Sequence, residues 1–237
     1  MIRVTVWNEN VHEREQEHVK AVYPDGIHNC IKRFLESDEV AVTTATLDMP
    51  DCGLPDEVLN NTDVMIWWGH CHHHEVPDEL AKKVQERVLK GMGLIVLHSG
   101  HYSKPFKLLM GTSCDLRWRD GDRERVWCVN PTHPIAQGLP DYFELEHEEM
   151  YGECFKIPKP DDVVFAGWFA GGELFRSGCT FTRGNGKVFY FQPGHEEFPT
   201  YKNEYVQKII KNAVQWAKPV QMLETLECIH PEEPIEK

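Results

Sequence analysis

Gly93-Leu94-Ile95-Val96-Leu97-His98-Ser99-Gly100-His101 decides the fold of this 237-residue chain. A glycine leads into four apolar residues that stop at a polar turn, the mark of a strand buried on both faces. Val64-Met65-Ile66-Trp67-Trp68, stopped by Gly69, repeats the pattern. Residues 2–7 and 40–46 read as two further strands, the second rich in β-branched residues. Between the strands the apolar spacing turns helical. Ile27, Ile31, Phe34 and Leu35 share one face of a helix over 26–37, and Leu54-Pro55-Asp56-Glu57-Val58-Leu59 opens a short one. Pro77-Asp78-Glu79-Leu80 opens another that reaches residue 90, with proline and acids in its first turn as helix starts prefer. This alternation predicts an α/β fold, a mostly parallel sheet with helices on both faces.

The second half changes character. Residues 117–153 are dense in charge and aromatics, with Asn130-Pro131-Thr132-His133-Pro134 as a turn that makes His133 a surface residue. Residues 165–168, 179–182 and 187–192 read as strands, the last two joined at the hairpin signal Asn185-Gly186. They predict an antiparallel extension of the sheet. Val206, Ile209, Ile210, Ala213 and Trp216 line one face of a closing helix over 204–218. The organisation expected is one domain over 1–218 and a Pro- and Glu-bearing tail over 219–237 that packs loosely or serves an oligomer contact.

Composition narrows the function. Twenty-five Lys and Arg stand against 38 Asp and Glu, a formal net charge of -13, which argues against nucleic-acid or anionic-membrane partners because both need a basic face. The apolar runs are far too short to span a bilayer. Residues 1–7 carry no basic segment leading into a long apolar one, so no export signal is expected. None of the eight cysteines has C-x-x-C spacing, and free buried thiols in a cytoplasmic protein are the expectation. Gly91-Met92-Gly93 lacks any phosphate-loop context, so no nucleotide cofactor is expected.

Open α/β sheets bind ligands outside the carboxyl ends of their strands, and there this chain places its polar residues. Asn8-Glu9-Asn10 and then His12 follow the first strand. Gly69-His70-Cys71 and His72, His73 and His74 follow the second apolar run, His98-Ser99-Gly100-His101 the third, and Gln192-Pro193-Gly194-His195-Glu196 the last strand. Imidazole and carboxylate are ligands for zinc, manganese or iron and the usual proton-transfer groups. His12 and His18 in their charged segment, and His72–His74 ahead of a helix, also read as solvated residues. His28 follows Tyr23-Pro24-Asp25-Gly26 near the exit of the first strand and joins the candidates. Glu146-His147-Glu148-Glu149-Met150-Tyr151 reads either as a solvated acidic run or as a segment sending Glu149 and Tyr151 to the site. Arg176 beside Gly178 is a candidate substrate contact or a surface ion pair. Trp68 is core packing or an apolar platform for a sugar ring.

The turn after Leu97 looks like a nucleophile elbow, the tight strand-to-helix turn that lifts one side chain above a sheet. In class-I glutamine amidotransferases the comparable stretch is Cys-x-Gly-His, and aligning Gly100 and His101 puts His98 where the cysteine would stand. A one-residue shift exposes Ser99 instead, which would need a base such as His195 or His70. Residues 190–196 resemble the amidotransferase strand carrying the triad His and Glu.

Taken together, Val6-Trp7-Asn8-Glu9-Asn10-Val11-His12-Glu13, Thr44-Ala45-Thr46-Leu47-Asp48, Trp67-Trp68-Gly69-His70, Leu97-His98-Ser99-Gly100-His101, Glu148-Glu149-Met150-Tyr151-Gly152-Glu153, Phe175-Arg176-Ser177-Gly178-Cys179-Thr180 and Pro193-Gly194-His195-Glu196 resemble the ThuA-like trehalose-utilisation family. The resemblance implies a flavodoxin-like, class-I glutamine amidotransferase-like fold without the cysteine nucleophile, so not a glutamine amidotransferase. It implies a role in disaccharide metabolism, on trehalose or a 3-keto derivative. The expectation is an enzyme with His98, His195, Glu149, Tyr151 and Ser99 at the chemistry and Asn8, Glu9, Trp68, His101 and Arg176 on the substrate. His28, His70, His98 and His195 would hold a zinc or manganese ion. The alternatives are a sugar-binding or regulatory protein without turnover and a Ser99-dependent hydrolase. The expected partners are a small sugar and further copies of the chain in a homo-oligomer.

Overall fold

The computed structural model describes residues 1–228 and 230–236. In chain order the strands are β1 (Ile2–Asn8), β2 (Val40–Thr46), β3 (Val64–Trp68), β4 (Gly93–Leu97), β5 (Arg117–Cys128), β6 (Tyr142–Gly152), β7 (Asp162–Phe169), β8 (Leu174–Arg183) and β9 (Gly186–Phe191). The helices are α1 (His12–Glu15), α2 (Glu17–Val22), α3 (Gly26–Leu35), α4 (Asp56–Asn60), α5 (Asp78–Lys90), α6 (Lys104–Met110) and α7 (Glu204–Ala217). All nine strands share one sheet, ordered β2-β1-β3-β4-β9-β8-β7-β5-β6. The expectation of a mostly parallel sheet is corrected here. The four pairings from β2 to β9 are parallel, and the four from β9 to β6 are antiparallel.

Each parallel strand alternates between two cores because successive side chains leave opposite faces. Val64, Ile66 and Trp68 of β3 and Ile95 and Leu97 of β4 join Ile27 and Ile31 of α3 and Ile209 and Ile210 of α7 on one face. Met65 and Trp67, with Leu94 and Val96, join Val84 and Val88 of α5 and Phe106 of α6 on the other. Both faces are dry, so these strands carry unbroken apolar runs.

In the second half, β5 and β6 occupy the segment that showed only charge and aromatics. Along β6, Phe143 and Leu145 point inward while Tyr142, Glu144 and Glu146 remain exposed. The β8–β9 turn falls one residue earlier than the sequence suggested: Arg183 pairs with Gly186, leaving Gly184-Asn185 as the loop. Of the tail, Leu223 donates its backbone N–H to the Lys90 carbonyl (2.9 Å) and Met222 packs against the second core; positions 229 and 237 lie outside the described residues. All eight cysteines are free thiols. No helix among the described residues is long and apolar enough to cross a membrane.

Candidate active site

The strand order reverses between β1 and β3, and a crevice opens at such a point. The segments leaving β1, β3, β4 and β9 meet there with β6, around a cavity of about 660 Å³. His12, His70, Cys71, His73, Ser99, His101, Trp118, Glu149, Tyr151, His195 and Glu196 are among its lining residues.

Two buried carboxylates beneath the cavity hold its loops. Glu9, at the end of β1, accepts the backbone N–H groups of His70 (2.8 Å), Cys71 (3.1 Å) and His72 (2.9 Å). Glu148, inward on β6, accepts those of Gly194 (2.9 Å), His195 (2.9 Å) and Glu149 (3.1 Å), and the Thr200 hydroxyl (2.8 Å). Gly194 sits at φ +144°, a conformation open to glycine, and a Cβ there would overlap the Tyr201 hydroxyl. The His195 turn is thus fixed by the carboxylate and by the missing side chain.

At the elbow His98 has φ +49°, so the strained position belongs to His98 and not to Ser99. Neither is open to solvent: His98 is fully buried and Ser99 nearly so. His98 Nδ1–H donates to the Gln192 carbonyl (2.9 Å), and Nε2 lies 3.0 Å from Glu149 Oε2, without the alignment of a hydrogen bond. Burial alone would lower the pKa of His98, but Glu149 outweighs it and raises the pKa. Burial would likewise raise Glu149, and His98 holds it down. The two form a buried ion pair. Ser99 Oγ is hydrogen-bonded to the Tyr151 hydroxyl (2.7 Å), which lies 3.5 Å from His98 Nε2. No ring nitrogen is hydrogen-bonded to Ser99 among the described residues.

His195 is the opposite case. Burial lowers its pKa, and its Nδ1 accepts the Glu197 backbone N–H (3.2 Å). The neutral ring therefore carries its proton on Nε2. His101 donates Nδ1–H to the Cys114 carbonyl (2.7 Å), and burial pushes its pKa down to about 4. His73, also neutral, is pushed down to about 3, chiefly by burial.

The mouth holds a second cluster. Glu196 Oε1 accepts from His12 Nδ1 (2.5 Å) and His70 Nδ1 (2.6 Å). The neighbouring imidazoles of His12 and His70 draw the Cys71 thiol down to about 6. Cys71 and Glu196 beside it raise His12 to about 10. At His70 the same partners overcome burial and raise it to about 11.

Several sequence candidates lie elsewhere. His28 sits on α3, where its Nδ1 meets Asn8 Nδ2 (2.9 Å) and its Nε2 meets Asn29 Nδ2 (3.0 Å), so it does not join His70, His98 and His195. Asn8 is buried beneath, bonded to Glu13 (2.7 Å). Glu9 serves loop backbone and not ligand. Trp68 is 1% exposed and donates to the Gly194 carbonyl (3.0 Å), so it offers no platform. Trp118, opposite Tyr151 across the β5–β6 pair and 63% exposed, stands instead on the cavity rim. His12, read as solvated, belongs to the mouth. Its signal was its place four residues past β1.

Arg176 does not line the cavity; it forks onto Glu153 (2.7 and 2.9 Å). Burial alone would raise Glu153, but Arg176 and the Phe155 N–H outweigh it and hold its pKa below the ordinary carboxylate value. A depressed pKa contributes stability above the unfolded value of about 4.3 and loses it as pH falls through the folded one. Glu153→Gln is therefore expected to cost about 1 kcal/mol or less at pH 7, since the pair is partly solvated, and nothing in strong acid. Urea midpoints at pH 7 and pH 3 check this.

The geometry can be set beside known proteins. A family model described as "Trehalose utilisation", ThuA, matches residues 3–217. The chain belongs to the ThuA family. A Parabacteroides merdae protein described as ThuA-like shares 16% identity at a TM-score of 0.65, over 94% of this ThuA chain and 92% of that one. A cytoplasmic protein of Salmonella typhimurium shares 13% at 0.61, over 92% and 100%. A glutamine amidotransferase of Thermotoga maritima shares 11% at 0.51, over 91% and 97%, so the amidotransferase-like scaffold extends to this ThuA protein. No curated protein matches its sequence.

Proposed function

We propose that this protein is a cytoplasmic carbohydrate-active enzyme that acts on a disaccharide or its 3-keto derivative by acid–base chemistry at His98, Glu149 and His195. The observation carrying the reading is the divergence of two neighbouring imidazoles. His98 is held charged against Glu149, while His195, with ring centroids 5.3 Å apart from it, is held neutral with a proton on Nε2. Groups pushed apart in this way divide the roles of base and acid. Glu149 stands 3.0 Å from the His98 Nε2 that carries the proton, Tyr151 offers its hydroxyl beside them, and His195 Nε2–H faces a developing negative charge. Buried Ser99 and His101 frame the floor. A cavity of this volume suits a small molecule, and the cytoplasmic Salmonella neighbour supports the location.

A metal ion among His98, Glu149 and His195 fits the residues poorly. Their ligand atoms lie within 4.8 Å of one another, but the charged His98 has no lone pair to offer, with Nδ1–H on the Gln192 carbonyl and Nε2 facing Glu149. His195 offers none either, because its Nδ1 accepts the Glu197 N–H and its Nε2 keeps the proton of the neutral ring.

The test is incubation with trehalose and with 3-keto-trehalose, followed by product analysis. Conversion of the keto sugar that disappears in His98→Ala and His195→Ala supports the reading. Full activity in both variants overturns it, and tight binding without conversion makes the chain a binding protein. Trp118→Ala is expected to raise KM by roughly 3- to 10-fold through the loss of one aromatic contact, with kcat little changed. Steady-state kinetics on the keto sugar decide that point.

A further inference from the structure

We propose that His12, His70 and Cys71 form a binding site for a thiophilic divalent cation such as zinc at the cavity mouth. One ligand atom from each lies within 4.8 Å of the others. Two imidazoles and a thiol are a zinc-type set, and three protein ligands leave a coordination position free, as catalytic zinc sites do.

The surroundings suit such an ion better than the inner trio does. His12 and His70 each present Nδ1 to Glu196 Oε1. A carboxylate that accepts the N–H of a ligating histidine fixes the ring and makes its other nitrogen the better donor. With Nδ1 so occupied, each ring offers Nε2 to an ion that displaces its proton, and neither Nε2 is hydrogen-bonded among the described residues. Glu196 is itself almost wholly buried, with Oε2 unpartnered, and stands as the negative anchor beneath both rings. The backbone is set as well: the Glu9 carboxylate fixes the His70-Cys71 loop by three N–H bonds. His12 arrives from α1, so the site bridges the β1 and β3 exits. The ion would be reached from solvent through the exposed Cys71 side and would face the cavity that the acid–base reading assigns to the sugar. Only that position toward a sugar rests on the reading; binding of the ion does not.

Cobalt(II) added to chelator-treated protein tests the site. One equivalent per chain with a thiolate-to-cobalt absorption in the near ultraviolet is expected. Cys71→Ser should abolish that band and weaken binding at least tenfold, while Cys154→Ser, a change at another exposed thiol, should leave both intact. Glu196→Gln should weaken cobalt binding by about 10- to 100-fold and retain the band at saturation. Circular dichroism and thermal midpoints establish that each variant is folded. Cobalt bound without a thiolate band, bound equally by Cys71→Ser, or not bound at all overturns the site. Turnover of the keto sugar is measured separately, so a failed acid–base reading leaves the cobalt result standing, and the reverse.

Discussion

Glu148→Ala is expected to destabilise the protein by about 3–5 kcal/mol, the loss seen when a buried polar centre is removed and its partners are stranded. Three backbone N–H groups and the Thr200 hydroxyl converge on this one side chain. Two of the stranded donors belong to Gly194 and His195, so the turn carrying His195 loosens with the fold. Glu148→Gln keeps one carbonyl oxygen and should fall between wild type and alanine. Urea unfolding followed by tryptophan fluorescence gives the order; an alanine variant within 1 kcal/mol of wild type would sink the assignment of Glu148 as the anchor.

The second large effect is on turnover. His98→Ala is expected to lower kcat/KM on the keto sugar by about 10²–10⁴-fold, the usual reach of a positioned acid or base. His195→Ala should cost a similar factor. The double variant should lose much less than the product of the two, because groups that act as one unit do not add. The control is stability. His98 is buried against Glu149, so its removal leaves an unpaired carboxylate, and Glu149→Gln/His98→Ala should recover midpoint without recovering rate. A double variant as active as wild type would remove the pair from the chemistry.

The parallel half of the sheet was readable because its strands are dry on both faces, so composition alone marks them. β5 and β6 were not. The first five residues of β5 are exposed, and the strand bears Arg-Asp-Gly-Asp-Arg-Glu-Arg, where pairing with neighbours overrides weak strand propensity. The same limit shaped the reading of the site. Strand ends pointed to His70, His98 and His195, which the fold brings together, because an open sheet gathers its strand exits at one edge. Spacing says nothing of which exit residues turn inward. Asn8 ends β1 and Glu9 follows it as closely as any ligand would, yet Glu9 fastens a loop and Asn8 sits beneath it. Trp68 and Trp118 are alike as residues; only the β5–β6 register shows which one meets solvent. Cys71 stood beside His70 in plain view, but its partner His12 is 59 positions away in a segment that looked merely charged.

The placement of β9 between β4 and β8 bears on how the protein is made. Without residues 186–191 the sheet order falls into two four-stranded parts, β2-β1-β3-β4 and β8-β7-β5-β6, with unpaired edges at β4 and β8. The last strand synthesised is the one that joins them, so a chain truncated ahead of it is left with two open edges and a strong tendency to aggregate.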